Sequence, residues 1–194
     1  MSSFRPDGAQ HVLLGDFTGH GLSAAIGGPL VSDIFYAMTR KGLPPNEIMA
    51  EINERLHEKT PTEMFMAACL LELDPSRTRL TVWNCTIPDV LVYRNSELFM
   101  RIPSVSLPMG VVRQYDVPGF SLNVQPSDRV YVYSDGFIEE HNATDVMFGQ
   151  TNLEQSVARM LQMDEPLQVI QTMLMEYRSG HEQTDDMTMV EVVC

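Results

Sequence analysis

The apolar positions in the first third of the chain follow a strand pattern and then two helical patterns. Residues 11–15 predict a strand, and residues 22–40 predict a long helix. Gly27-Gly28-Pro29 lies inside that helix, where a proline costs about 3 kcal/mol, so we expect a kink or a break. Pro44-Pro45 opens the next helix at a permitted position. Apolar residues at four-residue spacing form its buried stripe: Ile48, Ile52 and Leu56.

Shorter apolar runs separated by turn residues fill the middle of the chain, as in antiparallel sheets. The near-continuous apolar run at 64–73 predicts a strand that is buried on both faces. Each of three further turn signals lies between two apolar runs, so we predict three hairpins. Their turns are at 74–77, 94–97 and 125–128.

Helical patterns at 153–161 and 167–177 and a strand pattern at 187–193 complete the chain. Hairpins together with segregated helices favour an α+β fold, in which two mainly antiparallel sheets pack face to face with helices outside. The turn at Pro6-Asp7-Gly8 has too little chain before it for a partner strand, which suggests a fragment of a longer protein.

Composition narrows the range of partners. Hydrophobic residues are 44% and charged residues 20% of the 194, as in an ordinary globular protein, and the formal net charge is -13. That charge argues against nucleic acid and against an anionic membrane surface, and it suits either a solubility surface or metal binding. We expect no membrane span and no signal peptide. The three cysteines lack zinc spacing and fit a reducing cytoplasm, with Cys69 in the core.

Three acidic positions share one local pattern, in which an apolar strand meets a tight turn. They are Asp16, Asp135 and Asp185-Asp186. Strands that end at one sheet edge would bring these carboxylates together, where they repel each other unless protons or cations intervene. Mg²⁺ and Mn²⁺ prefer such oxygen donors. The alternative is that Asp135-Gly136 and Asp185-Asp186 are ordinary solvated turns.

Other chemistry has less support in the sequence. Gly19-His20-Gly21 precedes the first predicted helix, whose N-terminus would favour an anion, although His20 alone fits a packing role equally. We find no Walker A loop, nucleophile elbow or paired-histidine zinc motif. Cys85 has no histidine neighbour that would make it a nucleophile.

Four motifs, in order, resemble the metal-dependent Ser/Thr protein phosphatases (the PPM, or protein phosphatase 2C, family), and the bacterial SpoIIE-type branch in particular. The motifs are Gly-Asp-Phe-Thr-Gly-His-Gly at 15–21, Leu-Pro-Met-Gly-Val at 107–111, Tyr-Ser-Asp-Gly-Phe-Ile-Glu at 133–139 and Asp-Asp-Met-Thr-Met-Val at 185–190. The resemblance spans essentially the whole chain. It implies a single domain over residues 1–194 with the αββα sandwich of that family.

By this resemblance, Asp16 would bridge two divalent cations, Mn²⁺ or Mg²⁺, and the Phe17 carbonyl would bind one of them. Asp135 and Asp185 would bind the other cation, whereas Asp186 stands where the family often has asparagine. Asp16, Asp135 and Asp185 are thus the predicted catalytic residues. The implied reaction is hydrolysis of phosphoserine or phosphothreonine on a protein by an activated water, without a covalent intermediate.

The resemblance also implies partners. The substrate would be a small phosphorylated regulator, an anti-sigma-factor antagonist, in cytoplasmic bacterial signalling. An upstream receiver or sensor domain would control the activity. The two helices after Gly21 would form a switch with Gly27-Gly28-Pro29 as its hinge, and a homodimer is compatible with this arrangement.

Two departures from the family leave other functions open. The family's first strand, with its acidic residue, should lie before Phe4 and is absent, and residues 84–88 are Asn-Cys-Thr-Ile-Pro where many relatives have Asn-Ala-Gly-His-Pro. One alternative is a catalytically impaired phosphatase-fold module that binds a partner protein. Another is a different magnesium enzyme, such as a nucleotidyl transferase or a cyclase, although no basic phosphate-binding cluster is visible.

Overall fold

The computed structural model describes residues 1–18, 22–61, 64–183 and 185–194, and only the backbone of residues 22–26. The predicted role of Gly19-His20-Gly21 therefore lies outside the described residues. The described elements, in chain order, are β1 (Ser2–Phe4), β2 (Gln10–Phe17), α1 (Leu22–Arg40), α2 (Pro45–Lys59), β3 (Met66–Leu73), β4 (Arg79–Cys85), β5 (Val90–Arg94), β6 (Glu97–Ile102), β7 (Phe120–Asn123), β8 (Arg129–Tyr133), α3 (Gly136–Glu139), α4 (Gly149–Gln162), α5 (Gln168–Arg178) and β9 (Met189–Val193).

The chain divides into two compact units. The first unit comprises Met1–Ile87, Ile102–Pro126 and Cys194, and the second comprises Pro88–Arg101 and Ser127–Val193. Each unit has its own antiparallel sheet and its own helices. Within the described ranges, no helix is both long enough and apolar enough to cross a membrane.

The sheet of the first unit has the strand order β1-β2-β3-β4-β7. β1 pairs antiparallel with β2 across the turn at residues 6–8, so the expectation that this turn has no partner strand is wrong. β1 consists of Ser2-Ser3-Phe4 and carries no carboxylate. The apolar centre of β2, Val12 to Leu14, is buried.

The helix α1 is continuous through Pro29, so a break at this position is wrong, whereas a kink stays a prediction. Burial of its apolar side chains outweighs the cost of the proline, because Val31 and Phe35 are fully enclosed in the core of the first unit. Gly27 packs against the strand β2: a Cβ atom built there would lie 2.4 Å from Cε1 of Phe17. The α2 stripe of Ile48, Ile52 and Leu56 is buried in the same core, as predicted.

The sheet of the second unit has the strand order β6-β5-β8-β9. The hairpin predicted around residues 125–128 is wrong, because β7 pairs with β4 whereas β8 pairs with β5 and β9. Turn residues reverse the chain direction, but burial determines which strand each segment pairs with. Val130 and Tyr131 of β8 are fully buried in the second unit, and Leu122 of β7 pairs with Leu80 in the first sheet. The predicted α+β fold with two antiparallel sheets and helices is confirmed.

A buried histidine ties three elements of the first unit together. The His11 side chain in β2 is fully buried; its Nε2 donates to Oε2 of Glu72 in β3 at 2.9 Å, and its Nδ1 lies 3.1 Å from Oγ1 of Thr39 in α1. Arg5 also donates to Glu72, at 3.1 Å. The hydrogen bond from His11, assisted by the Arg5 guanidinium, lowers the pKa of Glu72 from its ordinary value of 4.5.

This network predicts a pH dependence of stability. Because the pKa of Glu72 is lower in the folded than in the unfolded chain, its charge stabilises the fold above pH 4.5, and that contribution is lost as the pH falls through the folded pKa. We expect the free energy of unfolding, measured by urea denaturation, to fall as the pH is lowered through this range. Glu72→Gln should flatten this acid slope and Glu58→Gln, at an exposed site, should not. Equal slopes in the two variants would contradict the assignment.

Two adjacent glycines of α1 provide a matched pair. Gly27→Ala should lower the free energy of unfolding by about 1–3 kcal/mol, because the new methyl group overlaps the Phe17 ring. Gly28→Ala should raise it by up to about 1 kcal/mol, because a Cβ there meets nothing within 4 Å and alanine favours the helix. Thermal unfolding of both variants checks this, and a Gly27→Ala protein as stable as Gly28→Ala would refute the close packing.

Candidate active site

Asp16 lies one residue before the end of β2, opposite Ala67 in β3. On both sides of Asp16, β2 pairs with β3. Gly15 leaves room for a neighbour, since a Cβ there would lie 2.7 Å from the Met66 sulfur. Thr18 donates its backbone N–H to the Phe65 carbonyl at 2.9 Å, and its hydroxyl oxygen accepts from the Phe65 N–H at 3.1 Å. The half-buried carboxyl group of Asp16 therefore projects from a well-anchored strand end.

Phe17, whose carbonyl is a predicted ligand, is fixed by its side chain. Its ring lies against Gly27 of α1, where a Cβ would also come within 2.9 Å of the Met64 methyl group. The residue pairs with Met66 in β3. Ring packing and strand pairing together leave the Asp16-Phe17 backbone little freedom.

Asp135 stands at the junction of β8 and the short helix α3 in the second unit. The preceding residue, Ser134, attaches this turn to the segment before β9: its N–H donates to the Thr188 carbonyl at 2.9 Å, and its hydroxyl donates to the Asp186 carbonyl at 3.2 Å. Gly136 allows the close approach, because a Cβ there would lie 2.6 Å from the Asp186 carbonyl oxygen. Only glycine fits at this position without a shift of the backbone.

One carboxyl oxygen of Asp135 has no hydrogen-bond partner among the residues that the structure describes. Oδ1 is buried and accepts no hydrogen bond from any described residue. Leaving such an oxygen without a partner costs about 1–3 kcal/mol. A bound cation would satisfy it, and carboxylate oxygens are the donors that Mg²⁺ and Mn²⁺ prefer. The chemistry of this position therefore fits the metal that the resemblance implies.

Asp185 is exposed and lies in the segment to which Ser134 is attached. Its Oδ1 accepts from the Asp186 N–H at 2.8 Å, and its carbonyl accepts from the Gln183 side-chain amide at 2.6 Å. The fold of the second unit thus brings the Asp135 turn next to the Asp185-Asp186 segment.

The complete ligand set stays a prediction. Asp16 and Phe17 belong to the first unit, whereas Asp135 and Asp185 belong to the second. In the ranges that the structure describes, no three or more His, Cys, Asp or Glu side chains lie close enough together to hold a metal ion.

Two features near Asp135 are not evident from the sequence. The link through Ser134 depends on a partner more than fifty positions away, and its only local signal is a hydroxyl residue before Asp-Gly. The helix α3 spans four residues, which is too short for apolar periodicity to reveal. Local sequence patterns therefore reveal neither feature.

The departure at residues 84–88 has a structural consequence. Thr86 has φ of +72°, a left-handed conformation that disfavours a β-branched residue and suits the glycine of many relatives. Two hydrogen bonds compensate: the Thr86 N–H donates to the Ser104 hydroxyl at 2.6 Å, and the Thr86 hydroxyl donates to the Ser106 carbonyl at 3.2 Å. The loop therefore keeps a glycine-like backbone with a polar side chain.

The buried cysteines are neutral thiols. Burial raises the pKa of Cys85 to about 11 and raises that of Cys69 well above its ordinary value. A nucleophilic cysteine needs the opposite shift, because the thiolate is the reactive form. These two side chains consequently favour packing over catalysis, as predicted for Cys69.

Comparisons with known proteins give a matching family profile and a curated relative. The profile of the family Stage II sporulation protein E (SpoIIE) matches residues 6–193. Phosphoserine phosphatase RsbP of Bacillus subtilis (strain 168) is 25% identical over 132 residues, which are 66% of this chain and 33% of RsbP. The chain thus spans about a third of the length of this curated relative.

Solved structures show the same fold. The SiaA-PP2C domain of Pseudomonas aeruginosa superposes with a TM-score of 0.86 at 20% identity, over 100% of this chain and 79% of that one. RsbX, in a crystal structure with magnesium, superposes with a TM-score of 0.69 at 14% identity, over 98% of this chain and 85% of its own. The predicted PP2C-type fold is thereby confirmed. Because the family profile covers residues 6–193, nearly the whole sequence, the chain belongs to the SpoIIE family.

Proposed function

We propose that this chain is a metal-dependent phosphatase that hydrolyses phosphoserine or phosphothreonine on a regulatory protein. The observation that carries the proposal is the buried Oδ1 of Asp135, which accepts no hydrogen bond from the described part of the chain and lies in a turn attached to the Asp185-Asp186 segment. The relative RsbP bears the name phosphoserine phosphatase, which supports the substrate class.

The proposed ligands are the side chains of Asp16, Asp135 and Asp185 and the carbonyl of Phe17, holding two divalent cations, Mn²⁺ or Mg²⁺. When bound, such cations supply Lewis acidity that lowers the pKa of a water nucleophile and offsets charge on the phosphoryl oxygens. The magnesium of the RsbX structure supports an oxygen-donor site of this type. The donor set contains no sulfur or imidazole, which suits hard cations.

The chain itself supplies position rather than acid–base chemistry. Ser134 and Gly136 hold the Asp135 turn in place, so the Asp135 carboxyl group would bind a cation without rearrangement of the backbone. β3 fixes the strand end that carries Asp16. The neutral thiol of Cys85 takes no part, in agreement with direct attack by water.

The partners follow from the proposed activity. The substrate we propose is an anti-sigma-factor antagonist. The chain would form part of a longer regulator in which an upstream receiver or sensor domain controls the activity. It would act as a homodimer if that domain dimerises. The three cysteines are not in disulfides, which suits a cytoplasmic location, because reducing conditions prevent disulfide formation.

A second candidate is a catalytically impaired module that binds a partner protein. The observation in its favour is β1, whose Ser2-Ser3-Phe4 offers no carboxylate where the resemblance calls for an acidic first strand. Phosphate release from a phosphoserine peptide in Mn²⁺ separates the two candidates, because the impaired module would show none.

Asp135→Asn should lower Mn²⁺-dependent phosphate release from that peptide on the order of a hundredfold or more, because an amide is a poor ligand for a hard cation. The metal-free fold should be as stable as the wild type, since Oδ1 loses no hydrogen bond. Asp164→Asn, at an exposed position with φ of +53°, is the matched control. An active Asp135→Asn enzyme would refute the role of Asp135.

The adjacent acids 185 and 186 should differ in their effect. We expect Asp185→Asn to abolish turnover and Asp186→Asn to retain most of it, because the resemblance places a ligand at 185 and often an asparagine at 186. The measurement is the initial rate against Mn²⁺ concentration for both variants. Equal losses would mean that the segment acts only through its fold or its charge.

A further inference from the structure

The Leu-Pro-Met-Gly-Val motif at residues 107–111 has no role in the proposed ligand set. Its centre, Met109-Gly110, lies between the helix α2 and the start of β3, all within the first unit. The contacts on either side of these two residues connect α2 to β3, which pairs with the strand that carries Asp16.

Gly110 is held by three α2 residues that share one helix face through their i, i+3 and i+4 spacing: Asn53, Leu56 and His57. The Gly110 N–H donates to Asn53 Oδ1 at 2.8 Å, and His57 Nδ1 donates to the Gly110 carbonyl at 3.0 Å. Gly110 has φ of +95°, and a Cβ there would lie 3.2 Å from the Leu56 Cβ. A glycine is therefore required for the helix to grip the loop this closely.

Asn53 hydrogen-bonds through its side chain to the loop at residues 110–113. Its side chain is fully buried, and its amide nitrogen also donates to the carbonyls of Val112 at 2.9 Å and Arg113 at 3.4 Å. All of these partners are backbone groups of residues 110–113. A leucine is branched at the same position but cannot pair with these backbone groups, so the polar atoms of Asn53 specify the loop conformation.

Met109 passes this constraint to β3. Met66 and Met109 exchange two backbone hydrogen bonds, of 2.9 Å from the Met66 N–H and 2.8 Å from the Met109 N–H. Met66 stands opposite Phe17, and Ala67 stands opposite Asp16. Because Met66 directs its N–H and C=O toward Met109, the antiparallel alternation directs those of Ala67 toward Asp16.

We propose that Asn53 and His57 are positioning residues, which hold Gly110 so that the Met66–Met109 bridge stays closed and the backbone of Asp16 and Phe17 stays fixed. The consequence for metal binding rests on the proposed function. The mechanical link from α2 to β2 does not rest on it.

The test compares His57→Ala and Asn53→Leu with Glu54→Ala, an exposed control on the same helix. Amide hydrogen exchange, followed by NMR, should be about five- to tenfold faster at Met66, Met109 and Thr18 in the first two variants and unchanged in the control. His57 is exposed, so its variant folds even if Asn53→Leu does not. Calorimetric titration with Mn²⁺ should show about fivefold weaker binding in the two variants, because the ligands lose their fixed position.

The outcomes separate the two proposals. Faster exchange confined to Gly110 and Val112 in folded His57→Ala would overturn the link, whatever the metal result. Faster exchange that reaches Thr18 in the variants, together with a wild type that binds no Mn²⁺, would support the link and refute the proposed function. A wild type that binds Mn²⁺, with variants that bind it equally well, would overturn the positioning role.

Discussion

The proposed metal chemistry depends on one buried carboxyl oxygen, Oδ1 of Asp135, which no residue in the described ranges hydrogen-bonds. Folding normally removes such groups by pairing them, because their desolvation is not repaid otherwise. The turn at Asp135 keeps such an oxygen in the described structure. Ser134 hydrogen-bonds this turn to the Asp185-Asp186 segment, and Gly136 permits the close contact. The cost is understandable if an ion provides the missing partner.

The strand end at Asp16 is built on the same principle by different means. Glycine at 15 and at 27 lets the Met66 sulfur and the Phe17 ring pack directly on backbone, and Thr18 closes the pairing with β3. The hydrogen bonds from α2 side chains to Gly110 connect this strand end to a helix. A carboxylate that is to bind a cation without reorganising needs such support, because ligand geometry determines affinity as much as ligand type.

The sequence predicts the periodic elements well. α2 with its buried stripe, the hairpin of β3 and β4, and the two C-terminal helices all follow from apolar spacing and turn residues. It fails where distant contacts decide. Residues 125–128 signal a turn, yet burial sends β7 and β8 to different sheets. Pro29 signals a break, yet the burial of Val31 and Phe35 keeps α1 whole. For the site, motif order indicates the acids, but the supports at Ser134 and Asn53 are invisible because their partners lie more than fifty residues away.

Anomalous diffraction at the manganese edge, from crystals of the chain grown with Mn²⁺, tests the central claim most directly. The account predicts two anomalous peaks, with the carboxylates of Asp16, Asp135 and Asp185 and the carbonyl of Phe17 at ligand distance from one or both. Peaks that lie elsewhere, or an Asp135 Oδ1 that contacts no ion in a crystal saturated with Mn²⁺, would contradict it.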